Sequence, residues 1–174
     1  MTTRRRRSCH RCVLAWTAVT VMIGAADAAR AAADEAIPEQ FQAASAVVLN
    51  DETHVSSSES QAQTQHHVRL KILTRKGFSY ANQVIWYEGG TQDLMDFSAR
   101  TIRQNGTSVE VPLDLRHDVI AWKTDALEFH ALYFTFPAVE EGVVLEWRYA
   151  VASSGLRALH RWDVQRSIPV LEAG

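Results

Sequence analysis

Runs of alternating apolar and polar residues, separated by turn signals about every ten residues, dominate this chain from Ser45 onward. The clearest run is 143–151, where apolar side chains occupy every second position from Val143 to Val151. Because successive side chains of a strand point to opposite faces, this period of two predicts strands with one buried face. Asn105-Gly106 lies between two such runs and is typical of a hairpin turn. The pattern predicts an all-β fold, an antiparallel β-sandwich of about eight or nine strands.

The strands can be placed from the same pattern. The segment 94–103 is predicted to be a strand with Met95, Phe97, Ala99 and Thr101 on one face. The segment 114–125 has no clear alternation and is predicted to be irregular or a helical turn. The predicted strands are 46–55, 61–73, 78–87, 94–103, 107–111, 127–136, 143–151 and 159–165.

The first 31 residues have the composition of a secretory signal peptide. Four arginines, Arg4–Arg7, precede an apolar stretch of about 15 residues and then the small residues Ala26-Asp27-Ala28. That stretch is shorter than the roughly 18–20 residues that a membrane-spanning helix needs. We therefore predict a signal peptide at 1–31, cleaved near Ala28 or Ala31, and a periplasmic or secreted bacterial protein. An uncleaved membrane anchor is the alternative.

The rest of the chain divides into two parts. Residues 32–44 are rich in Ala, Glu and Gln and predict a flexible or short helical lead-in, and residues 45–174 form the β-sandwich domain. Six of the 18 basic residues and one of the 20 acidic residues lie in the signal peptide, which leaves 12 basic and 19 acidic residues and a net charge of −7. An acidic domain argues against nucleic acid or an anionic membrane surface as a partner.

The sequence contains no recognisable catalytic or metal-binding motif. Both cysteines, Cys9 and Cys12, belong to the predicted signal peptide, so the mature chain has no thiol for a disulfide, a nucleophile or a metal. His66 and His67 are adjacent in a strand and should point to opposite faces, so they cannot bind one ion together. No G-x-S-x-G or H-E-x-x-H sequence occurs. We therefore predict no enzyme activity, no catalytic residue, no cofactor and no metal.

The tryptophans and tyrosines are the best candidates for a binding surface. Trp147 shares its strand face with aliphatic residues and is predicted to lie in the core. Trp86 and Tyr87 stand beside Gly89-Gly90, and Trp122 lies in the segment without alternation, so these three are predicted to be exposed. We expect Trp86, Tyr87 and Trp122 to form a ligand or partner surface.

Four stretches, taken in order, carry a family resemblance. The chain resembles the domain of unknown function that precedes the papain-like core in bacterial transglutaminase-like proteins. The resemblance implies an all-β, exported, envelope-associated fold. The stretches are 46–52, 69–73 with the following Gly77, 99–106 and 143–149, and Pro169-Val170-Leu171 adds to them.

The resemblance also shapes the functional hypotheses. The catalytic residues of such proteins belong to the downstream domain, so none can be transferred to this chain. Domains of this family continue for several strands beyond Pro169-Val170-Leu171, so we expect an incomplete sandwich with uncovered edges and a tendency to self-associate. The first hypothesis is a non-catalytic accessory or interaction domain that binds a transglutaminase-like protein. The alternatives are a glycan- or peptide-binding module and a hydrolase.

Overall fold

The computed structural model describes residues 36–154 and 167–174, and these form two packed antiparallel sheets. The larger sheet has the order β1-β2-β8-β4-β5 and the smaller has the order β3-β7-β6. The predicted all-β sandwich is confirmed, whereas the predicted strand 159–165 lies outside the described residues. The strands are β1 (Ala46–Ser57), β2 (Gln61–Ile72), β3 (Asn82–Gly89), β4 (Gln92–Ile102), β5 (Ser108–Glu110), β6 (Arg116–Lys123), β7 (Glu128–Thr135) and β8 (Val144–Ser154).

Short 3-10 turns interrupt the strands at three places, Glu39–Phe41, Arg75–Ala81 and Leu113–Leu115. The first follows Pro38 within the predicted lead-in. The second occupies the beginning of the predicted strand 78–87, so β3 begins only at Asn82. Phe78 and Tyr80 of this turn pack against the core instead of entering the sheet.

Aromatic rings join the two sheets. Phe134 of β7 lies edge-on to Phe97 of β4 and to Phe136, with ring centroids 4.8 Å and 5.6 Å apart. Phe136 in turn contacts Trp147 of β8 at 5.8 Å. Edge-to-face pairs of this kind stabilise a core beyond the apolar area that they bury. The position predicted for Trp147 is confirmed, since its side chain is buried within this core.

A β-bulge in β4 makes the single-face prediction for 94–103 wrong. The pairing of β4 with β8 shifts between Met95 and Ser98, and Asp96 adopts a positive φ of 52°. Phe97 therefore turns toward the core, whereas Met95 is exposed on the other side of the sheet. A bulge inserts one extra residue and reverses the alternation beyond it.

The segment 114–125, predicted to be irregular or a helical turn, is instead largely strand β6. Only Leu113–Leu115 forms a helical turn. The pairing of β6 with β7 shifts between Ile120 and Trp122, so this strand also carries a bulge. The extra residue, Ala121, hides the period of two from the sequence, and pairing with β7 makes the segment a strand.

The C-terminal segment covers one edge of the larger sheet. Val170 and Ala173 pair in parallel with Val48 and Asp51 of β1. Backbone hydrogen bonds support this arrangement, including one from the Gly174 amide to the Asp51 carbonyl. The expectation of uncovered edges therefore does not hold for the middle of β1, residues 48–53. Within the described ranges, no helix is both long and apolar enough to span a membrane.

Gly77→Ala is expected to destabilise the fold. A methyl group at Gly77 would overlap the Ser45 carbonyl oxygen, which is part of the backbone and cannot rotate away as a side chain could. Overpacking of this kind costs about 1–3 kcal/mol. Urea unfolding followed by circular dichroism measures the loss. Gly174→Ala is the control, since no atom lies within 4 Å of its added methyl group, and equal stability of the two variants would contradict the prediction.

Candidate interaction surfaces

The smaller sheet presents an apolar outer face. Trp86 of β3 is paired with Ala131 of β7, which is paired with Val119 of β6. Directly paired residues of antiparallel strands point to the same side of a sheet. The same rule places two further rows on this side, Val84–Tyr133–His117 and Glu88–Phe129–Trp122, so the polar Glu88 and His117 lie at its margins. We call the apolar residues of the three rows the aromatic face. Its members are Val84, Trp86, Val119, Trp122, Phe129, Ala131 and Tyr133.

The large side chains of the aromatic face are open to solvent. Trp86 is 47% exposed and Trp122 is 51% exposed. Each ring is supported by a neighbour: Trp86 lies edge-on to Tyr133 at 6.4 Å, and Trp122 stacks on Phe129 at 5.7 Å. These contacts hold the rings in place without covering them. A contiguous exposed apolar surface is a common mark of an interaction site.

Tyr87 points to the opposite side of the same sheet. Its hydroxyl donates a hydrogen bond of 2.6 Å to Asp118 and lies 3.3 Å from Nδ1 of His130, on which its ring stacks. Burial and the bond to Asp118 raise the pKa of Tyr87. Nε2 of His130 is hydrogen-bonded to the carboxylate of Glu128 at 2.7 Å, and Glu128 also accepts a hydrogen bond from Lys123. The structure thus brings Trp86 and Trp122 onto one face and places Tyr87 in a polar cluster on the other.

Sequence reasoning missed the remaining members of the aromatic face. Val84, Val119, Phe129 and Tyr133 carry no motif. The sequence did contain an indication of this face, because Val84, Ile85 and Trp86 are three consecutive apolar residues and therefore place apolar side chains on both sides of the strand. Such a run predicts a strand that is apolar on both sides. Ile85 fills the core, and its two neighbours form the open face.

The outer face of the larger sheet is charged, with Glu146 of β8 at its centre. Glu146 accepts a hydrogen bond of 2.9 Å from Nε2 of His67 and one of 2.6 Å from Nε of Arg100. Arg148 lies 3.4 Å away from the same carboxylate. Burial by itself raises the pKa of Glu146, but the bonds from His67 and Arg100 outweigh it and lower the pKa to about 2. This cluster neutralises a buried charge and joins β2, β8 and β4.

A shallow groove of about 480 Å³ lies beside the Glu146 cluster. Glu52, His54, His67, Asp96 and Arg148 contribute its charged and polar lining. His66 is paired with Tyr149 of β8, and the two rings stack with their centroids 4.6 Å apart. His67 instead binds the carboxylate of Glu146 on the outer face of the sheet. Their predicted opposite orientation is confirmed. The mixture of both charges on this groove favours no single ligand class.

No metal-binding group is present in residues 36–154 or 167–174, where no three His, Cys, Asp or Glu side chains converge on one point. Two histidines are bonded to carboxylates, His67 to Glu146 and His130 to Glu128. Thr53 Oγ1 lies 3.1 Å from Nδ1 of His66. A histidine beside a hydroxyl is one element of a nucleophilic site, but such a site also requires donors for an oxyanion. The aromatic face is therefore the best-defined candidate surface.

The sequence comparison identifies the family. The family described as a domain of unknown function with a solved structure, DUF3857, matches residues 58–173, so this chain belongs to the DUF3857 family. The match begins at the turn before β2 and leaves β1 outside it, although β1 pairs with β2 along its whole length. No curated protein sequence matches the chain.

A solved structure shares the fold. It is the crystal structure of a putative protease from Parabacteroides distasonis, with a TM-score of 0.60 and 18% sequence identity. The similarity covers 65% of this chain and 24% of that one. At this level of identity the likeness shows the fold alone. The region shared with this chain spans about a quarter of that protein.

Acid is expected to weaken the fold through Glu146. Its pKa in the folded state is about 2, against an ordinary value of 4.5. The stabilisation is therefore present above pH 4.5 and is lost as the pH falls toward 2. The full effect is on the order of 3 kcal/mol by the linkage of pKa to stability.

The measurement is the free energy of unfolding of wild type and Glu146→Gln across this pH range. The difference between them should be largest at neutral pH and should shrink as the pH falls. Glu59→Gln, in the exposed turn between β1 and β2, is the control for loss of a carboxylate away from the cluster. A difference that does not change with pH would contradict the role given to Glu146.

Proposed function

We propose that this chain is a non-catalytic accessory domain of the bacterial envelope that docks through its aromatic face onto a transglutaminase-like protein. The observation that carries the proposal is the pair of half-exposed tryptophans, Trp86 and Trp122, on one side of a three-stranded sheet. Burying large aromatic side chains contributes much of the binding energy at protein interfaces. Trp86 and Trp122 are already ordered by their contacts with Tyr133 and Phe129, so binding costs little side-chain entropy.

The nature of the partner is supported by two independent likenesses. The sequence resembles the domain that precedes the papain-like core of transglutaminase-like proteins. The similar solved structure belongs to a protein called a putative protease, in which the shared region is 24% of the chain. Both likenesses are consistent with a domain of this fold accompanying a hydrolase-like catalytic unit. The activity then belongs to the partner, and this domain supplies attachment.

An accessory role also agrees with the polar clusters. Glu146, His67 and Arg100 satisfy one another, and so do Tyr87, Asp118 and His130. Such hydrogen-bonded networks join neighbouring strands and stabilise the fold. An exported location follows from the predicted signal peptide, and sequencing the N-terminus of the protein recovered from the envelope tests it.

Loss of either tryptophan should weaken docking. Binding of a purified transglutaminase-like protein from the same genome is measured by isothermal titration calorimetry with wild type, Trp86→Ser and Trp122→Ser. Each substitution is expected to weaken binding about tenfold or more, as for a central interface aromatic. Leu113→Ser is the control, because Leu113 is 81% exposed but lies outside the aromatic face.

Two results would reject the docking proposal. One is equal affinity of wild type and both tryptophan variants. The other is an equal loss of affinity in Leu113→Ser, which would mean that general surface hydrophobicity drives the association.

A glycan- or peptide-binding module is the second candidate, favoured by the exposed, stacked ring of Trp122. Aromatic rings held flat in this way can pack against sugar rings or peptide side chains. Titration with soluble envelope glycans and peptides, followed by tryptophan fluorescence, is expected to show quenching that Trp122→Ala removes. Tyr87→Phe should leave the signal unchanged, because Tyr87 points away from this face. Absence of quenching in wild type would exclude this candidate.

A further inference from the structure

Strand β6 forms an open edge of the smaller sheet. It pairs with β7 on one side, and none of the described residues forms a strand on its other side. The strand is exposed along nearly its whole length. It nevertheless carries Val119, Ile120 and Trp122, each about half exposed. An apolar edge strand presents unpaired backbone amides and carbonyls and is a template for a further strand.

The bulge in β6 gives the strand a two-fold symmetric pattern of faces. Before the bulge, Val119 belongs to the aromatic face and Asp118 to the opposite side. After it, Trp122 belongs to the aromatic face and Lys123 to the opposite side. When the strand is reversed, Asp118 and Lys123 therefore share one face, and Val119 and Trp122 share the other. In a regular strand Val119 and Trp122, which are three residues apart, would point to opposite sides, and the bulge at Ala121 brings them to the same side.

Antiparallel pairing of two identical strands requires this symmetry. Directly opposed residues must share a face, and a two-fold axis relates each contact to its copy. An axis between Ile120 and Ala121 sets Val119 opposite Trp122 and Asp118 opposite Lys123. The first contact is apolar and continues the aromatic face, and the second joins opposite charges.

We infer that β6 is a homodimerisation edge, at which a second copy of this chain pairs with β6 in the register Val119–Trp122 and Asp118–Lys123. A second copy is favoured over a foreign strand because the strand's own residues complement one another when it is reversed, with opposite charges at 118 and 123 and apolar side chains at 119 and 122. Asp118 and Lys123 already contact Tyr87 and Glu128 within the chain. The dimer therefore joins two existing polar clusters across the edge.

The dimer contains a continuous six-stranded sheet made from two three-stranded sheets. The two aromatic faces lie side by side on it, and Trp86, near the far edge, stays open. In the dimer Trp86 therefore remains available to a docking partner, whereas Val119 and Trp122 lie at the seam between the two copies. The inference depends on the edge of the sheet and on its charges, and it holds whether or not the aromatic face binds a partner.

Charge reversal tests the register by sedimentation equilibrium of the purified protein. Wild type is expected to have twice the monomer mass at micromolar to millimolar concentration. Asp118→Lys and Lys123→Asp each place like charges opposite one another at both symmetric contacts. Each is expected to weaken dimerisation about tenfold or more. The double variant restores opposite charges and should recover most of the wild-type affinity.

A second pair of variants distinguishes dimerisation through the β6 edge from contact between two aromatic faces, and it leaves Asp118 and Lys123 unchanged. Val119→Lys places a charge at the edge beside Trp122 of the other copy and should weaken the dimer. Val84→Lys changes a similarly exposed valine of the aromatic face on β3, at the opposite edge, and should not. Circular dichroism and thermal unfolding confirm that each variant is folded.

Four outcomes would overturn the inference. They are a wild type that stays monomeric, single charge variants that dimerise like wild type, a double variant that does not recover, and equal losses in Val119→Lys and Val84→Lys. The last would indicate contact between aromatic faces. A monomeric protein that binds an extended peptide along β6 would assign the edge to a foreign strand instead.

Discussion

The contact of Phe134 with Phe97 and Phe136, and of Phe136 with Trp147, holds the two sheets together. Neither sheet can bury its inner face alone, and the rings fill the space between them at centroid distances of 4.8–5.8 Å. This packing depends on the bulge in β4, which turns Phe97 inward. Arg116 places its guanidinium 4.9 Å over the Phe97 ring and donates to the Val111 carbonyl, which ties the start of β6 to the core. The position of the smaller sheet therefore follows from a few aromatic contacts.

A three-stranded sheet packed on one side has an outer side that must either be polar or be covered. In this protein the outer faces of the two sheets differ in polarity. The larger sheet is charged on its outer face, where Glu146 is neutralised by His67 and Arg100. The smaller sheet is largely apolar on its outer face, and no strand among the described residues pairs with the outer edge of its last strand, β6. Apolar exposure without in-chain compensation is costly for a monomer, so we relate it to binding.

The sequence supported most of the fold because regular strands have a regular pattern. The runs that became β2 and β8 alternate over long stretches, and Asn105-Gly106 formed the predicted turn between β4 and β5, with Gly106 at a φ of 82°. The errors occurred at bulges and at the turn before β3. A bulge moves one residue out of register, so Met95 was placed on the wrong face and β6 was not recognised. Of the candidate site, Trp86 and Trp122 were found as exposed rings. The face that unites them was not, because β3 and β6 meet only through β7.

The sequence alone determined the class of fold, since the period of two in side-chain polarity can be satisfied only by strands with one buried face. It also determined that residues 32–174 contain no thiol, which excludes disulfide and cysteine chemistry from that part of the chain. The tertiary structure decided which aromatic residues share a surface. Strand order and register bring Trp86 and Trp122 to one side of the sheet and turn Tyr87 to the other. These relations depend on pairing between segments that are distant in the chain, and the local sequence of each segment does not determine which other segment it pairs with.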